Sequence, residues 1–294
     1  MSDWAVSIRA VAQMTLPDGR RMAYELTGAA QGSPAVVLHG TPGSWRQLAG
    51  LDRPARERGL ALIVPDRAGY GGSSYDPAGT IGSGARDVGE LIRHLGLERC
   101  PVVGLSGGGP TALACGVMLP GRVVAAVATV GGVAPLVPRS AKLPPDRLLT
   151  RLAGLSQTAM HALFAAMIRV DRSRPEKALD RFAAMLADPD ARLVRNDPQV
   201  RAGFLDDLRH PSPTTARAAA RDFWLFARGW DVDLADMAVP AHIWHGTEDR
   251  NVPVAHARVI GALCPGARLH IVEGGGHLLL GQIDQIIDSL SPAA

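Results

Sequence analysis

Cysteine is scarce in this sequence, and its scarcity excludes a fold built on disulfides. The 294 residues include only three cysteines, Cys100, Cys115 and Cys264, which form no paired framework. Disulfide-dependent secreted domains are much richer in cysteine, so a reducing compartment is expected. The first residues, Met1-Ser-Asp-Trp, show no basic-then-apolar leader pattern. A cytoplasmic location is therefore predicted.

The sequence also lacks a hydrophobic run long enough to cross a membrane and a large charge of one sign. Its longest apolar stretch, residues 123–137, is interrupted by Gly131, Gly132 and Pro135, whereas a membrane-spanning helix needs about 20 predominantly apolar residues. The formal net charge is only +3, which is small for a nucleic-acid-binding chain of this length without a clustered patch. Neither a membrane nor a nucleic acid is expected as a partner.

What is present is typical of a globular α/β protein. The chain is 47% hydrophobic and 20% charged, and it is long enough for one domain with an insertion or for two small domains. Short apolar strand patterns alternate with helical ones at both ends of the sequence. We therefore predict an α/β core formed by residues 1–133 and 223–294, with residues 134–222 inserted after the sixth strand as a helical cap.

Within the predicted cap only helical periodicity is visible, and prolines divide it into segments. Four amphipathic runs are predicted to be helices, at residues 147–155, 161–170, 178–187 and 200–209. In the core, residues 85–95 are predicted to form a helix that ends at Gly96. Residues 9–27 are predicted to form a β-hairpin around the turn Pro17-Asp18-Gly19.

A glycine-rich pentapeptide, Gly104-Leu-Ser106-Gly-Gly108, lies between an apolar strand pattern and a helix of small residues. Strand, sharp turn and helix with G-x-S-x-G at the turn is typical of a nucleophile elbow. The turn holds Ser106 in a left-handed conformation, and its flanking positions need glycine because side chains there would collide. The following helix directs its free N–H groups towards the place where an oxyanion would form. Ser106 is thus the candidate nucleophile.

An overlapping pattern, Gly107-x-Gly109-x-x-Ala112, fits the dinucleotide-binding fingerprint. That fingerprint belongs in the first βα unit and needs an acidic residue about 20 residues later. Here it occurs a third of the way along the chain, and residues 125–133 contain no acid. A lysine for a phosphate-binding loop is also missing. No nucleotide cofactor is therefore expected.

A serine nucleophile requires a base and a carboxylate that orients the base. In a doubly wound sheet such groups lie at the carboxyl ends of strands. His277 follows one predicted strand behind three glycines, and both Glu248 and Asp249 follow another. The chain order serine, acid, histidine is the one expected for this topology. From the residues alone, either carboxylate can be the acid.

Other polar residues have structural interpretations. His242 and His245 are three positions apart on a strand, so they point to opposite faces and cannot chelate one metal ion. No other ligand cluster is visible, and no metal is expected. His39 is predicted to be structural in its turn and Asp66 to fix its own loop. Cys115 is interpreted as a small core residue.

The motifs together resemble the α/β-hydrolase family, and the resemblance covers residues 9–290. They are the pentapeptide, His39-Gly-Thr-Pro-Gly43, Asp66-Arg-x-Gly-x-Gly-x-Ser73, Gly246-x-x-Asp249-x-x-Val-Pro253 and Gly276-His277. The resemblance implies a doubly wound, mostly parallel sheet of about eight strands and a helical cap over the pocket. It also implies a catalytic triad in which Asp249 is the acid in preference to Glu248.

The same resemblance implies an oxyanion hole formed by the N–H groups of Thr41 and Gly107. Independently of it, Trp45 is the aromatic residue that we predict to contact substrate. Dehalogenases and epoxide hydrolases of the family place aspartate at the elbow, where this chain has Ser106. Proline iminopeptidases carry His-Gly-Gly-Pro-Gly at the oxyanion loop, and Thr41 departs from that sequence.

These features predict a serine hydrolase that cleaves a carboxylic ester or related acyl bond of a small molecule through an acyl-enzyme, without a cofactor. C–C bond hydrolysis, aminopeptidase activity and perhydrolysis use the same triad and stay open. A non-catalytic ligand receptor on the same scaffold is the competing class, since a fold does not fix a function. The sequence does not predict the acyl group, the leaving group or the oligomeric state.

Overall fold

The computed structural model describes residues 11–119, 121, 123–135, 137 and 144–290. Eight strands lie in one sheet: β1 (Val11–Thr15), β2 (Arg21–Gly28), β3 (Ser33–Leu38), β4 (Leu60–Pro65), β5 (Cys100–Leu105), β6 (Val124–Val130), β7 (Ala241–Gly246) and β8 (Arg268–Val272). Their spatial order is β1-β2-β4-β3-β5-β6-β7-β8. The first two pairings are antiparallel and the other five are parallel. The predicted doubly wound, mostly parallel sheet of eight strands is confirmed.

The predicted hairpin is present as β1 and β2, although residues 9 and 10 lie outside the described part. Gly19 takes the left-handed conformation that its turn requires, with φ of 85°. The Asp18 carboxylate accepts a hydrogen bond from the N–H of Arg20 at 3.0 Å, which closes the turn. Turn chemistry readable in the sequence therefore sets the register, in which Met14 faces Met22.

The central strands are almost entirely apolar, as expected for a sheet with helices on both faces. The helices of the core are α1 (Asp52–Glu57), α2 (Ile81–His94), α3 (Gly109–Met118), α10 (Ala255–Leu263) and α11 (Ile283–Leu290). A large hydrophobic cluster joins α2 and α3 to the sheet and includes the fully buried Ile63, Leu91 and Leu113. Each such buried side chain contributes roughly 1.5–3 kcal/mol to folding.

Helix α2 begins at Ile81, earlier than the predicted start at residue 85. Thr80 and Ser83 form a capping box, in which each side chain bonds the backbone N–H of the other residue. Two glycines in this first turn, Gly82 and Gly84, conceal the helix in the sequence, because glycine has a low helix propensity. The capping box of Thr80 and Ser83 therefore compensates for the low helix propensity of the first turn of α2.

Between β6 and β7 the described residues 144–226 are mostly helical, as predicted. They contain α4 (Pro144–Leu155), α5 (Gln157–Ser173), α6 (Pro175–Met185), α7 (Asp188–Asn196), α8 (Pro198–Arg209) and α9 (Thr215–Phe226). Helices α4, α5 and α8 contain the predicted runs 147–155, 161–170 and 200–209, whereas α6 ends at Met185, two residues before the end of the predicted run 178–187. Helices α7 and α9 were not predicted. The predicted cap boundary after residue 222 falls inside α9, and the division into core and cap stays a prediction.

Helix α7 is not predicted by the sequence, because in the sequence Pro189 is interpreted as a boundary between helical segments. Proline is well tolerated in the first turn of a helix, where its missing N–H would have no partner. Here Pro189 occupies that first turn, between Asp188 and Asp190. Both carboxylates lie at the helix N-terminus, which favours negative charge. Pro189 therefore lies at the start of a helix and does not mark the end of one.

The inserted helices build two hydrophobic clusters of their own. One joins α4, α5 and α9 around Met160, Phe164 and Ala219. The other joins α6, α7 and α8 and reaches Leu278 of the core. No helix in the described part of the chain is both long and apolar enough to cross a membrane.

Candidate active site

Ser106 stands at the carboxyl end of β5, in the sharp turn that the pentapeptide predicts. Its φ of 52° is left-handed, a conformation that residues other than glycine rarely adopt. A Cβ atom on Gly104 would lie 2.4 Å from the carbonyl oxygen of Gly108, and one on Gly108 would lie 2.6 Å from the carbonyl oxygen of Leu38. Only glycine fits at either position. The predicted strand–turn–helix geometry around Ser106 is therefore present, and α3 follows it directly.

Thr41 lies against the first residue after Ser106. A Cβ atom on Gly107 would be 3.2 Å from the Thr41 backbone nitrogen and 2.2 Å from Thr41 Oγ1. Among the described residues, none accepts a hydrogen bond from the Thr41 N–H. The backbone groups of Thr41 and Gly107 thus lie side by side near Ser106, where an oxyanion hole needs its donors.

The side chain of Thr41 is fully engaged with a charged network behind this loop. Thr41 Oγ1 donates a hydrogen bond to Asp222 Oδ2 at 2.5 Å and accepts one from the Arg67 guanidinium at 2.6 Å. Asp222 also accepts a hydrogen bond from the Tyr70 hydroxyl at 2.8 Å and pairs with Arg67 at 2.9 Å. Burial disfavours the charge of Arg67, but Asp222 and Tyr70 raise its pKa above the usual value.

Asp222, which belongs to α9, is not among the predicted site residues. The bond from Thr41 to Asp222 joins residues 181 positions apart, and no local pattern signals such a contact. The Arg67 side chain also donates to the carbonyl oxygens of His39 and Gly40 at 3.1 and 3.0 Å. Together these bonds fix the loop from which the Thr41 N–H projects.

His277 and Asp249 form a buried pair. His277 Nδ1 lies 2.8 Å from Asp249 Oδ2, while Asp249 Oδ1 accepts the N–H groups of Asn251 and Val252 at 2.9 Å each. Burial alone raises the pKa of Asp249, but the charge of His277 and these hydrogen bonds together lower it below the usual carboxyl value. Asp249 is thus held as an anion beside the imidazole.

The neighbouring carboxylate points elsewhere. Glu248 is exposed, and its backbone N–H donates to the carbonyl oxygen of Gly275 at 2.9 Å. His245, on the other side of Asp249, has its Nε2 3.2 Å from Asp249 Oδ2 and 2.7 Å from the carbonyl oxygen of Val252. The geometry agrees with Asp249 as the acid, and its catalytic role stays a prediction.

His277 reaches the neighbourhood of Ser106 across a glycine. A Cβ atom on Gly131 would lie 2.7 Å from His277 Nδ1, so the imidazole rests on that residue. Gly131 follows Val130, which pairs with Leu105 just before Ser106. The ring therefore lies against the end of the strand that pairs with β5. In the sequence Gly131 is only a break in the longest apolar stretch, which does not predict this steric role.

No hydrogen bond joins Ser106 to His277 among the described residues. Catalytic hydrogen bonds are often long without substrate and tighten in the reactive complex. Ser106 is half-buried, so its hydroxyl is open to a ligand. The structure thus brings the candidate nucleophile Ser106 and the histidine–aspartate pair to one edge of the sheet, with no hydrogen bond between Ser106 and His277.

Trp45 does not line a cavity that contains Ser106. Its backbone N–H donates to Asp66 at 3.0 Å, and the Arg46 guanidinium lies 4.9 Å from the centre of its ring. It lines a cavity with Glu25, Leu48, Gln199 and Asp206, whose wall does not include Ser106. Contact between Trp45 and substrate therefore stays a prediction.

The other residues considered in the sequence make contacts that support a structural role. His39 is fully buried and its Nε2 accepts the N–H of Arg67 at 3.0 Å. Asp66 accepts the N–H of Gly72 at 2.9 Å and so fixes its own loop, as predicted. Burial raises the pKa of the Cys115 thiol, which leaves it unreactive. Within the described ranges no three His, Cys, Asp or Glu side chains are grouped to hold a metal ion.

Comparison with known proteins identifies the family. The sequence model of the alpha/beta hydrolase fold matches residues 34–282, from β3 to the turn before α11. The chain belongs to the α/β-hydrolase family. The matched region contains every residue of the site described above, so the resemblance inferred from the motifs is confirmed.

Several relatives of this α/β hydrolase are similar over nearly its whole length. An uncharacterised protein of Mycobacterium tuberculosis is 28% identical, with 97% of this chain and 85% of that protein covered. The 2-hydroxy-6-oxo-2,4-heptadienoate hydrolase of Pseudomonas putida is 26% identical, with 94% and 92% covered. An esterase structure from Exiguobacterium antarcticum superposes with a TM-score of 0.68 at 22% identity, with 96% and 97% covered. The last similarity concerns the fold alone.

Proposed function

We propose that this α/β hydrolase cleaves a carboxylic ester or related acyl bond of a small molecule through an acyl-enzyme on Ser106. One observation carries the proposal. A left-handed serine, two adjacent backbone N–H groups and a buried histidine–aspartate pair meet at the same edge of the sheet. Acyl transfer by a serine nucleophile requires these three components.

In the proposed reaction, Ser106 Oγ attacks the carbonyl carbon while His277 Nε2 takes the hydroxyl proton. The N–H groups of Thr41 and Gly107 donate to the resulting oxyanion. Its collapse expels the leaving group, which receives the proton from His277, and leaves an ester on Ser106. Water then attacks this ester, with His277 again acting as base, and releases the carboxylic acid. Asp249 stays ionised and stabilises the imidazolium.

The inserted helices, residues 134–222, are proposed to cover the pocket and to select the substrate. Their own hydrophobic clusters support a separately packed region, and their contacts with the oxyanion loop and the His277 loop support a position over the site. Loops and inserts in such a position commonly control access to a catalytic site.

A second candidate function is hydrolysis of a C–C bond next to a carbonyl group. It is supported by the similarity to the Pseudomonas putida hydrolase over 94% of this chain. The same serine, histidine and oxyanion donors would serve, because in both reactions the fragment that leaves must be protonated. In ester hydrolysis the bond between the acyl carbon and an oxygen breaks, whereas in C–C hydrolysis the bond between the acyl carbon and a neighbouring carbon breaks.

Labelling with a fluorophosphonate tests the proposal, followed by turnover of p-nitrophenyl esters of increasing acyl length. We expect one label per chain on Ser106, none on Ser106→Ala, and a burst of p-nitrophenol. A ligand receptor on this scaffold would show neither the label nor the burst. Labelling that persists in Ser106→Ala would assign the nucleophile to another residue.

A further inference from the structure

A carboxylate from the inserted helices is bonded to the residue that follows His277. Asp190, in the first turn of α7, is 1% exposed, and its Oδ2 accepts the N–H of Leu278 at 2.7 Å. The N–H of Leu280 also stabilises the charged carboxylate. Asp190 and Leu278 are 88 positions apart, so this bond ties the insert directly to the histidine loop.

The loop has the conformation that makes such an anion useful. Leu279 lies between the two donor residues and has φ of 48° and ψ of 35°, left-handed values that are costly for leucine. Backbone N–H groups on either side of a left-handed residue form a concave site for an anion. Asp190 supplies that anion, and its charge offsets the strain of the turn.

The residue before His277 is fitted to the same carboxylate. A Cβ atom on Gly276 would lie 2.2 Å from Asp190 Oδ2 and 3.0 Å from Ala187 Cβ. Asp190 therefore contacts the chain immediately before and immediately after His277. Asp249 orients the imidazole ring through Nδ1, whereas Asp190 fixes the backbone from which the ring projects.

Asp190 also acts electrostatically on the pair that it borders. Burial raises the pKa of Asp190, the N–H of Leu278 and the charge of His277 oppose that rise, and Asp249 adds to it. A buried anion is costly unless it is well paired. The partners that stabilise the Asp190 carboxylate are the N–H of Leu278 and the charge of His277, which both belong to the loop that it contacts.

We propose that Asp190 is a positioning residue for His277, through which the inserted helices control the placement of the catalytic base against Ser106. The inference rests on the proposed function of His277. The inference adds that Asp190 contacts neither the substrate nor the triad side chains of Ser106 and Asp249. Replacing its carboxylate should nevertheless slow acylation.

Asp190→Asn and Asp188→Asn form a matched pair for the test. Asp188 occupies the same helix turn but is exposed, so its variant controls for lost charge at the helix N-terminus. For Asp190→Asn we expect kcat and the rate of fluorophosphonate labelling to fall between about 10-fold and 100-fold, as for a small misplacement of a catalytic group. KM should change little, and Asp188→Asn should match the wild type.

A spectroscopic measurement separates positioning from loss of stability. The Nδ1–H proton between His277 and Asp249 should give a far-downfield NMR resonance that His277→Ala removes. We expect it to broaden or vanish in folded Asp190→Asn and to persist in Asp188→Asn. Should Asp190→Asn fail to fold, Gly276→Ala tests the same contact from the loop side and should show the same losses.

A folded Asp190→Asn variant with wild-type kcat, labelling rate and resonance would overturn the inference. A Gly276→Ala enzyme that behaves as the wild type would do the same. Failure of the proposed function is distinguishable, because the wild-type protein itself would then neither turn over esters nor take the label. The resonance would still report whether Asp190 positions His277.

Discussion

The core and the inserted helices place polar side chains at the site in opposite ways. In the core, Ser106, Asp249 and His277 follow strands, so the hydrogen-bonded sheet sets their positions. The insert supplies carboxylates, each bonded to a loop of the core. Asp190 holds the His277 loop and Asp222 holds Thr41, while Asp207 accepts hydrogen bonds from Ser44 and Gln47.

This difference indicates a division of work. Groups placed by a sheet are rigid and suited to chemistry, because reacting atoms must be held closely. Groups placed by side-chain bonds between two layers can be released when the layers separate. We infer that the core carries the reaction and that the insert sets how well its loops are assembled. Variants on each side of this division can break or sharpen it.

The largest effect is expected for Ser106→Ala, which should reduce kcat by roughly 10⁴-fold or more. The fold should persist, because the hydroxyl is half-buried at a turn and packs little. Adding His277→Ala should cost hardly more, since the two residues act as a unit. Steady-state kinetics on one activated ester and thermal unfolding of each variant check both points. Losses that multiply would mean that the two residues act separately.

Asp249→Asn should have the next largest effect. The amide keeps the shape of the carboxylate but favours the wrong histidine tautomer, a change that lowers kcat by about 10⁴ in serine proteases. A loss of at least several hundredfold is expected, with the fold retained. Glu248→Gln is the control and should keep most activity, because Glu248 is exposed. A nearly active Asp249→Asn beside an inactive Glu248→Gln would transfer the role to Glu248.

Thr41→Val probes the insert through the oxyanion loop. Valine keeps the backbone N–H but loses the hydroxyl that donates to Asp222. We expect kcat to fall about tenfold, less than the 10²–10³ that follows removal of an oxyanion donor. Thr41→Ser keeps the hydroxyl that donates to Asp222 and should have nearly the activity of the wild type. Equal rates for the serine and valine variants would show that the link to Asp222 has no part in positioning.

The smallest effect concerns stability and pH at Asp207. Burial raises the pKa of Asp207 to about 6, and Ser44, Gln47 and Arg46 oppose that rise while Asp66 adds to it. A carboxyl whose pKa is raised by folding favours the folded state at low pH, and this contribution is lost as pH rises through about 6. Asp207→Asn does not titrate, so its stability relative to the wild type should improve between pH 4 and pH 7.

Urea unfolding of both proteins across that pH range measures the difference. Asp206→Asn is the matched control, because its side chain pairs with Arg46 at the surface and has a more exposed setting. A pH-independent difference for Asp207→Asn would mean that Asp207 does not titrate in this range.

The sheet and the sharp turn at Ser106 could be predicted because most of their signals are local. Fully apolar runs mark strands buried on both faces, and Gly104 is required by its contact with the nearby Gly108, although Gly108 itself is required by the distant Leu38. The loops that carry Asp249 and His277 were found because each directly follows a strand. Errors arose where a local signal misleads, as at Pro189 in α7 and at Gly82 in α2.

By itself, the sequence determined the α/β architecture, the helical insert and the family motifs, because strand periodicity, helix periodicity and glycine sterics act over a few residues. Tertiary structure alone decided that Gly131 supports the His277 ring, and that Asp190 and Asp222 hold the loops of His277 and Thr41. These bonds join residues 88 and 181 positions apart. Folding brings such partners together through the packing of whole layers, so no spacing in the chain records them.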